Sequence, residues 1–155
     1  MTSDPSPTCC TGCQTNHISI THCAIRRISR HFNWDGRLTL RDIETDEDLI
    51  PLLRCWDGEV LILDNRPGFD DDALDLMAKV VDCRLYYAPR ITELVVTDCS
   101  NFSADALVRC VSARMESRWR IFCLRVTGLV PDISTVDRQR ILQQVYEFEY
   151  APSSF

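Results

Sequence analysis

The residues whose types and spacing best suit chemistry crowd near the start of the chain: Cys9, Cys10, Cys13, His17, His22 and Cys23. Cys10-x-x-Cys13 has the spacing of a metal knuckle, and His17 and Cys23 can supply the other two of four zinc ligands. Structural zinc sites, however, usually separate their two ligand pairs by about a dozen residues. Here all six candidates fall within fifteen residues, and Ile18 and Ile20 between them fit a strand. A thiol-disulfide enzyme needs Cys-x-x-Cys at a helix start, where the dipole lowers a thiol pKa, and no helical pattern follows Cys13. The cluster therefore reads first as reduced thiols on a poorly ordered tail over residues 1–16. Cys10, Cys13, His17 and Cys23 are the alternative, the ligand set of a small metal-binding or redox-linked protein.

Other chemistry finds less support. Asp70-Asp71-Asp72 could hold a hard cation, but it also suits the acidic first turn of a helix, which needs no metal. The three histidines, His17, His22 and His31, all lie near the amino terminus, and no G-x-S-x-G elbow is present. Glycine-rich phosphate loops are absent too. No catalytic residue and no cofactor is expected, so the chain is not read as an enzyme.

The totals narrow the partner. The chain has 155 residues, 45% hydrophobic and 26% charged, with a net charge of -6. That is enough chain for one domain with a real core. A basic surface for nucleic acid or anionic lipid is not expected. The patch Arg114, Arg118, Trp119 and Arg120 is interrupted by Glu116 and reads as a loop. No apolar run is long enough to span a bilayer, and residues 1–7 lack a signal-peptide pattern. Nine cysteines without a secretion signal read as reduced thiols, so a cytoplasmic or nuclear location is expected.

The elements that would position a binding surface recur along the chain. Ile91-Thr-Glu-Leu-Val-Val-Thr-Asp-Cys99 has the pattern L-x-x-L-x-L-x-x-C, the strand segment of a leucine-rich repeat. Weaker copies of its core are Ile18/Ile20/Cys23, Leu38/Leu40/Ile43, Val60/Ile62/Asn65 and Leu124/Val126/Leu129. Their first residues are spaced by 20, 22, 34 and 30, irregular beside the usual ~20–29. Phe69, Ala73 and Leu74 match Phe102, Ala106 and Leu107 at a spacing of 33, while the strands overlay at 34. Ser103 should cap a helix burying Leu107, Cys110 and Val111. Ser134 should start a terminal helix whose Val136, Ile141, Leu142 and Val145 close the stack.

These features predict an α/β fold: a short, irregular leucine-rich-repeat-like solenoid over residues 17–150. It would have a parallel sheet of about five strands, helices on the convex side, a C-terminal capping helix and a frayed end at 151–155. In this register the concave face carries Arg41, Leu61, Leu63, Val95, Thr97 and Arg125. Its apolar centre suits a protein partner. The competing register turns Leu61 and Leu63 into the core in place of Val60 and Ile62.

The stretches Ile91–Cys99, Asn101–Leu107, Val111–Arg114, Leu124–Gly128 and Ile141–Glu149 resemble the carboxy-terminal part of fungal F-box/leucine-rich-repeat proteins, over about residues 36–150. The resemblance implies a non-catalytic interaction module that holds the substrate of an F-box-type ubiquitin ligase. In that family an amino-terminal F-box docks to the ligase adaptor. Residues 1–33 do not resemble an F-box, so adaptor docking is not expected of this stretch.

Overall fold

A computed structural model describes residues 17–21, 36–42, 49–82, 84–85 and 87–154. The elements run β1 (His17–Thr21), β2 (Arg37–Arg41), α1 (Leu49–Cys55), β3 (Val60–Asp64), α2 (Asp71–Ala78), β4 (Val80–Val81), β5 (Arg84–Leu85), β6 (Glu93–Thr97), α3 (Ala104–Met115), β7 (Cys123–Gly128), α4 (Thr135–Leu142) and β8 (Glu147–Pro152). The fold is α/β. Its main sheet has the order β1-β2-β3-β6-β7-β8, and every pairing is parallel. Each strand thus lies beside the one before it in the chain. The exception is the β4–β5 hairpin, an insertion that lengthens the connection between α2 and β6.

Two ladders of backbone hydrogen bonds fix this order. At the strand entrances, one carbonyl accepts two consecutive N–H groups of the next unit. Gly36 receives Glu59 and Val60, Glu59 receives Thr92 and Glu93, Thr92 receives Phe122 and Cys123, and Phe122 receives Tyr146 and Glu147. At the exits, Asp42, Asn65 and Asp98 take left-handed φ values of 47°, 50° and 51°, and Gly128 one of 78°. Asn and Asp tolerate this region better than most residues. The N–H groups of Asp42, Asn65 and Asp98 donate to Asp64, Thr97 and Thr127 in the adjoining strands.

One hydrophobic core lies beneath the sheet. Leu38, Leu40, Leu61, Leu63, Leu94, Val96, Leu124 and Val126 point into it from alternate strand positions, as the two-residue period of a strand requires. From the helices come Leu53, Leu74, Met77, Leu107, Cys110, Val111 and Ile141. The Phe69 and Phe102 rings meet edge to face, 5.4 Å between centroids, a favourable aromatic geometry. Asp70, Ser103 and Ser134 cap α2, α3 and α4 by accepting the N–H groups of Ala73, Ala106 and Asp137. Pro51 sits in the first turn of α1, where its missing N–H costs nothing.

Three expectations need correction. The first is the register of β3: Leu61 pairs with Leu94 and Leu63 with Val96, not Val60 and Ile62. Matching Asn65 to Cys99 caused the slip; Asn65 is the left-handed exit residue equivalent to Asp98. With Leu61 matched to Leu94 the strand spacing becomes 33, the same as that of the helices.

The second concerns the end of the sheet. The segment expected to fray from residue 151 does not begin there: the alternating stretch after α4 forms β8 and carries Ala151 and Pro152 with it, the sixth strand of the main sheet among the described residues. Third, α4 does not close the stack with a broad apolar face. Ile141 and the following Val145 are buried, but Val136 and Leu142 are 61% and 50% exposed. The 1–16 tail lies outside the described residues.

Candidate protein-binding face

Strand alternation sends the other side chains of the sheet away from the core. In register they form three rows. The middle row runs Thr39, Ile62, Val95, Arg125, Glu149. On the exit side lie Arg41, Asp64, Thr97, Thr127 and Ala151, and on the entrance side Arg37, Val60, Glu93, Cys123 and Glu147. Ile62, Val95 and Arg125 are half-buried, and Arg41 and Glu149 are exposed. The helices meet one another in chain order, α1 with α2, α2 with α3 and α3 with α4. Among the described residues no helix lies over this outer face.

Of the residues expected on this face, Arg41, Val95, Thr97 and Arg125 are there. Leu61 and Leu63 are not: both are fully buried and contribute packing only. Ile62, with Val60 and Asp64 beside it, occupies the surface in their place. Glu147 and Glu149 join through β8, which was not expected as a strand. The period-2 alternation of Tyr146 to Tyr150 was the signal for it.

The face is held by polar contacts along its rows. Arg41 donates to the Asp64 carboxylate at 2.7 Å, and the Thr97 and Thr127 hydroxyls share a hydrogen bond of 3.1 Å. Arg125 lies 3.8 Å from Glu93, 3.7 Å from Glu147 and 3.6 Å from Glu149. With the guanidinium 41% exposed, each pair contributes little to stability, but together they fix where the side chain points. The charges run from Arg37 and Arg41 on β2 to an excess of carboxylates on β8.

Little here is suited to covalent or metal chemistry. Burial pushes the Cys99 and Cys110 thiols up to about 11. Cys123 is raised as well, by partial burial and then by Glu93. A raised pKa suppresses the thiolate that would react or bind metal. Asp70 caps α2, and Asp71 accepts the N–H and hydroxyl of Ser103, so two of the three consecutive acids have structural work. Among the described residues no group of three or more His, Cys, Asp or Glu is placed to hold a metal ion. Cys10, Cys13 and Cys23 lie outside the described residues. His17 opens β1. No helix among the described residues is long and apolar enough to cross a membrane.

The basic patch expected as a loop is divided: Arg118, Trp119 and Arg120 follow α3, but Arg114 lies within its last turn and points inward. Arg114 is fully buried, donating from Nε to the Met77 carbonyl at 3.1 Å and from Nη2 to those of Tyr87 and Ala88 at 2.9 and 2.6 Å. It ties the end of α2 to the insertion before β6. Burial lowers its pKa to about 10, against the opposing influence of Cys110. An Arg in a helix pattern gives no sign of which backbone carbonyls it will reach. No family model, curated protein or solved structure matches this chain.

Proposed function

We propose that the chain is a short, irregular leucine-rich-repeat-like solenoid that binds another protein on the outer face of its sheet, as the substrate-holding part of an F-box-type ubiquitin ligase receptor. The observation that carries the binding role is the middle row. Ile62 and Val95 are neighbours in register, half-buried, at the centre of a sheet with no helix over them among the described residues. Parallel sheets are ordinarily covered on both faces. An apolar pair flanked by Arg41, Asp64, Arg125 and Glu93 has the make-up of an interface centre with a polar rim. The solenoid reading is supported by strands in chain order and by two backbone ladders that recur unit after unit. The ligase role draws on the sequence resemblance.

The test compares partners recovered by the unaltered chain, by Ile62→Arg/Val95→Arg and by a helix-side control, Gln139→Arg. Loss of partners from the face variant alone, with its melting temperature unchanged, supports the reading. Identical recovery by all three would overturn it. Whether a cullin-ligase adaptor is recovered with the longest available form of the protein tests the ligase role separately.

A further inference from the structure

Among the described residues the sheet ends at β8, which pairs with β7 on one side and with no strand on the other. Glu147 donates its N–H toward β7, to the Phe122 carbonyl, and beyond the strand Ser153 does the same to Gly128. Strand alternation therefore points the N–H and C=O of Phe148 and Tyr150 the opposite way, along the open edge. Pro152 adds a carbonyl there but has no N–H to donate. The side chains along this edge sort by face. Glu147 and Glu149 are exposed on the outer face, while Phe148 and Tyr150 are half-buried on the core side.

The edge is also firmly positioned. The Phe148 and Tyr150 rings lie nearly parallel, 15° between planes and 6.4 Å between centroids. The Tyr150 hydroxyl accepts the Ile133 N–H at 3.1 Å and reaches the Pro131 carbonyl at 3.2 Å. The Arg138 guanidinium covers the Tyr150 ring at 5.4 Å. An ordered edge saves the cost of arranging itself on binding.

We propose that β8 takes up an extended segment of a partner protein as a seventh strand, one that alternates basic with apolar side chains. Backbone pairing to Phe148 and Tyr150 gives such a segment its affinity, and the alternating side chains its specificity. Its outer-face residues fall beside Glu147 and Glu149, whose two charges exceed what the single Arg125 offsets while it also faces Glu93. Lysine or arginine fits there. Its core-side residues fall beside Phe148 and Tyr150, where Val or Ile fits. A second copy of this chain is the wrong occupant. Antiparallel pairing of two β8 strands sets Glu147 and Glu149 against the same glutamates, and like charges across strands are destabilising. The net charge of -6 further disfavours self-association and draws a basic segment in.

The probe is a fluorescent peptide of alternating Arg and Val, titrated by anisotropy against the full chain. Controls are a peptide of the same composition with its Arg residues in one block, and an alternating Glu–Val peptide. Hydrogen exchange is read at single amides. In the free chain Phe148 and Tyr150 should exchange fast, and Glu147 and Glu149 slowly. The alternating Arg–Val peptide should protect Phe148 and Tyr150 and bind better than either control. Glu147→Lys/Glu149→Lys should weaken it by about tenfold or more, with circular dichroism unchanged.

Ile62→Arg/Val95→Arg should leave this binding intact, which separates the edge from the face. Equal binding of the blocked peptide, or binding without protection of Phe148 and Tyr150, would overturn the proposal. So would slow exchange of those two amides in the free chain, or a dimer that protects them without peptide.

Discussion

The carboxylate of Asp71 in α2 accepts both the backbone N–H of Ser103, at 2.5 Å, and its hydroxyl, at 2.8 Å. Ser103 is in turn the cap of α3, its oxygen 3.1 Å from the Ala106 nitrogen. One acidic residue therefore sets the starting point of the next helix. Ser103→Ala should cost about 1 kcal/mol, the usual worth of a cap. Asp71→Ala should cost about 1–3 kcal/mol, since it leaves a part-buried N–H without its acceptor. Because the groups form one network, Asp71→Ala/Ser103→Ala should cost less than the sum of the two. Urea denaturation of the three variants measures this; strict additivity would show that the caps act independently.

Much of that arrangement was legible from local pattern. Ser103, Ser134 and the acids before Ala73 stand where helix starts want them, and Leu107, Cys110 and Val111 have the spacing of one buried face. Strand register was harder. Val60-Leu61-Ile62-Leu63 is apolar at every position, so its sequence cannot say which two side chains face inward. Only the 33-residue offset of Phe69 from Phe102, imposed on the strands as well, resolves it. β8 was obscured because Glu147 and Glu149 lie on the outer face of an edge strand, where charge is tolerated. Arg114 was grouped with the loop residues Arg118 to Arg120, because its true partners are backbone carbonyls of distant segments that no local pattern names.

The register itself can be tested at two adjacent residues. Leu61 is fully buried, whereas Ile62 is half-buried on the outer face. Leu61→Ala should destabilise the fold by about 2–5 kcal/mol through lost burial and a cavity. Ile62→Ala should cost about 1 kcal/mol or less, as for a partly exposed site. Chemical denaturation gives both values. A larger loss at Ile62 than at Leu61 would reverse the assignment of faces.

Alkaline pH should weaken the fold before it affects Arg114. Cys99 and Cys110 are both raised from 9.0 to about 11, chiefly by burial. Between these values the unfolded chain has lost thiol protons that the folded chain retains. Their contribution is thus complete below pH 9.0 and fades as pH rises toward about 11. Arg114 works in the opposite direction: its lowered pKa makes the fold gain as pH rises above about 10. The cleanest window therefore lies from 9.0 up to about 10. Under reducing conditions, Cys99→Ala and Cys110→Ala should each show a shallower fall of unfolding free energy across that window. Slopes parallel to that of the unaltered chain would show that other groups govern alkaline stability.

The exit ladder makes its strictest demand at Gly128. Its φ of 78° is one that side chains disfavour, and a Cβ there would lie 2.1 Å from Oδ1 and 2.9 Å from Cγ of Asp98. That same Oδ1 accepts the Leu129 N–H at 2.8 Å, so the carboxylate cannot move aside without giving up the turn. Gly128→Ala should therefore destabilise the fold by about 1–3 kcal/mol. Asp98→Gly keeps the left-handed backbone and removes the clash, at the loss of an exposed hydrogen bond. In that background Gly128→Ala should cost less, and the saving measures the steric share of the penalty. If the cost is the same in both backgrounds, backbone strain at residue 128 accounts for all of it.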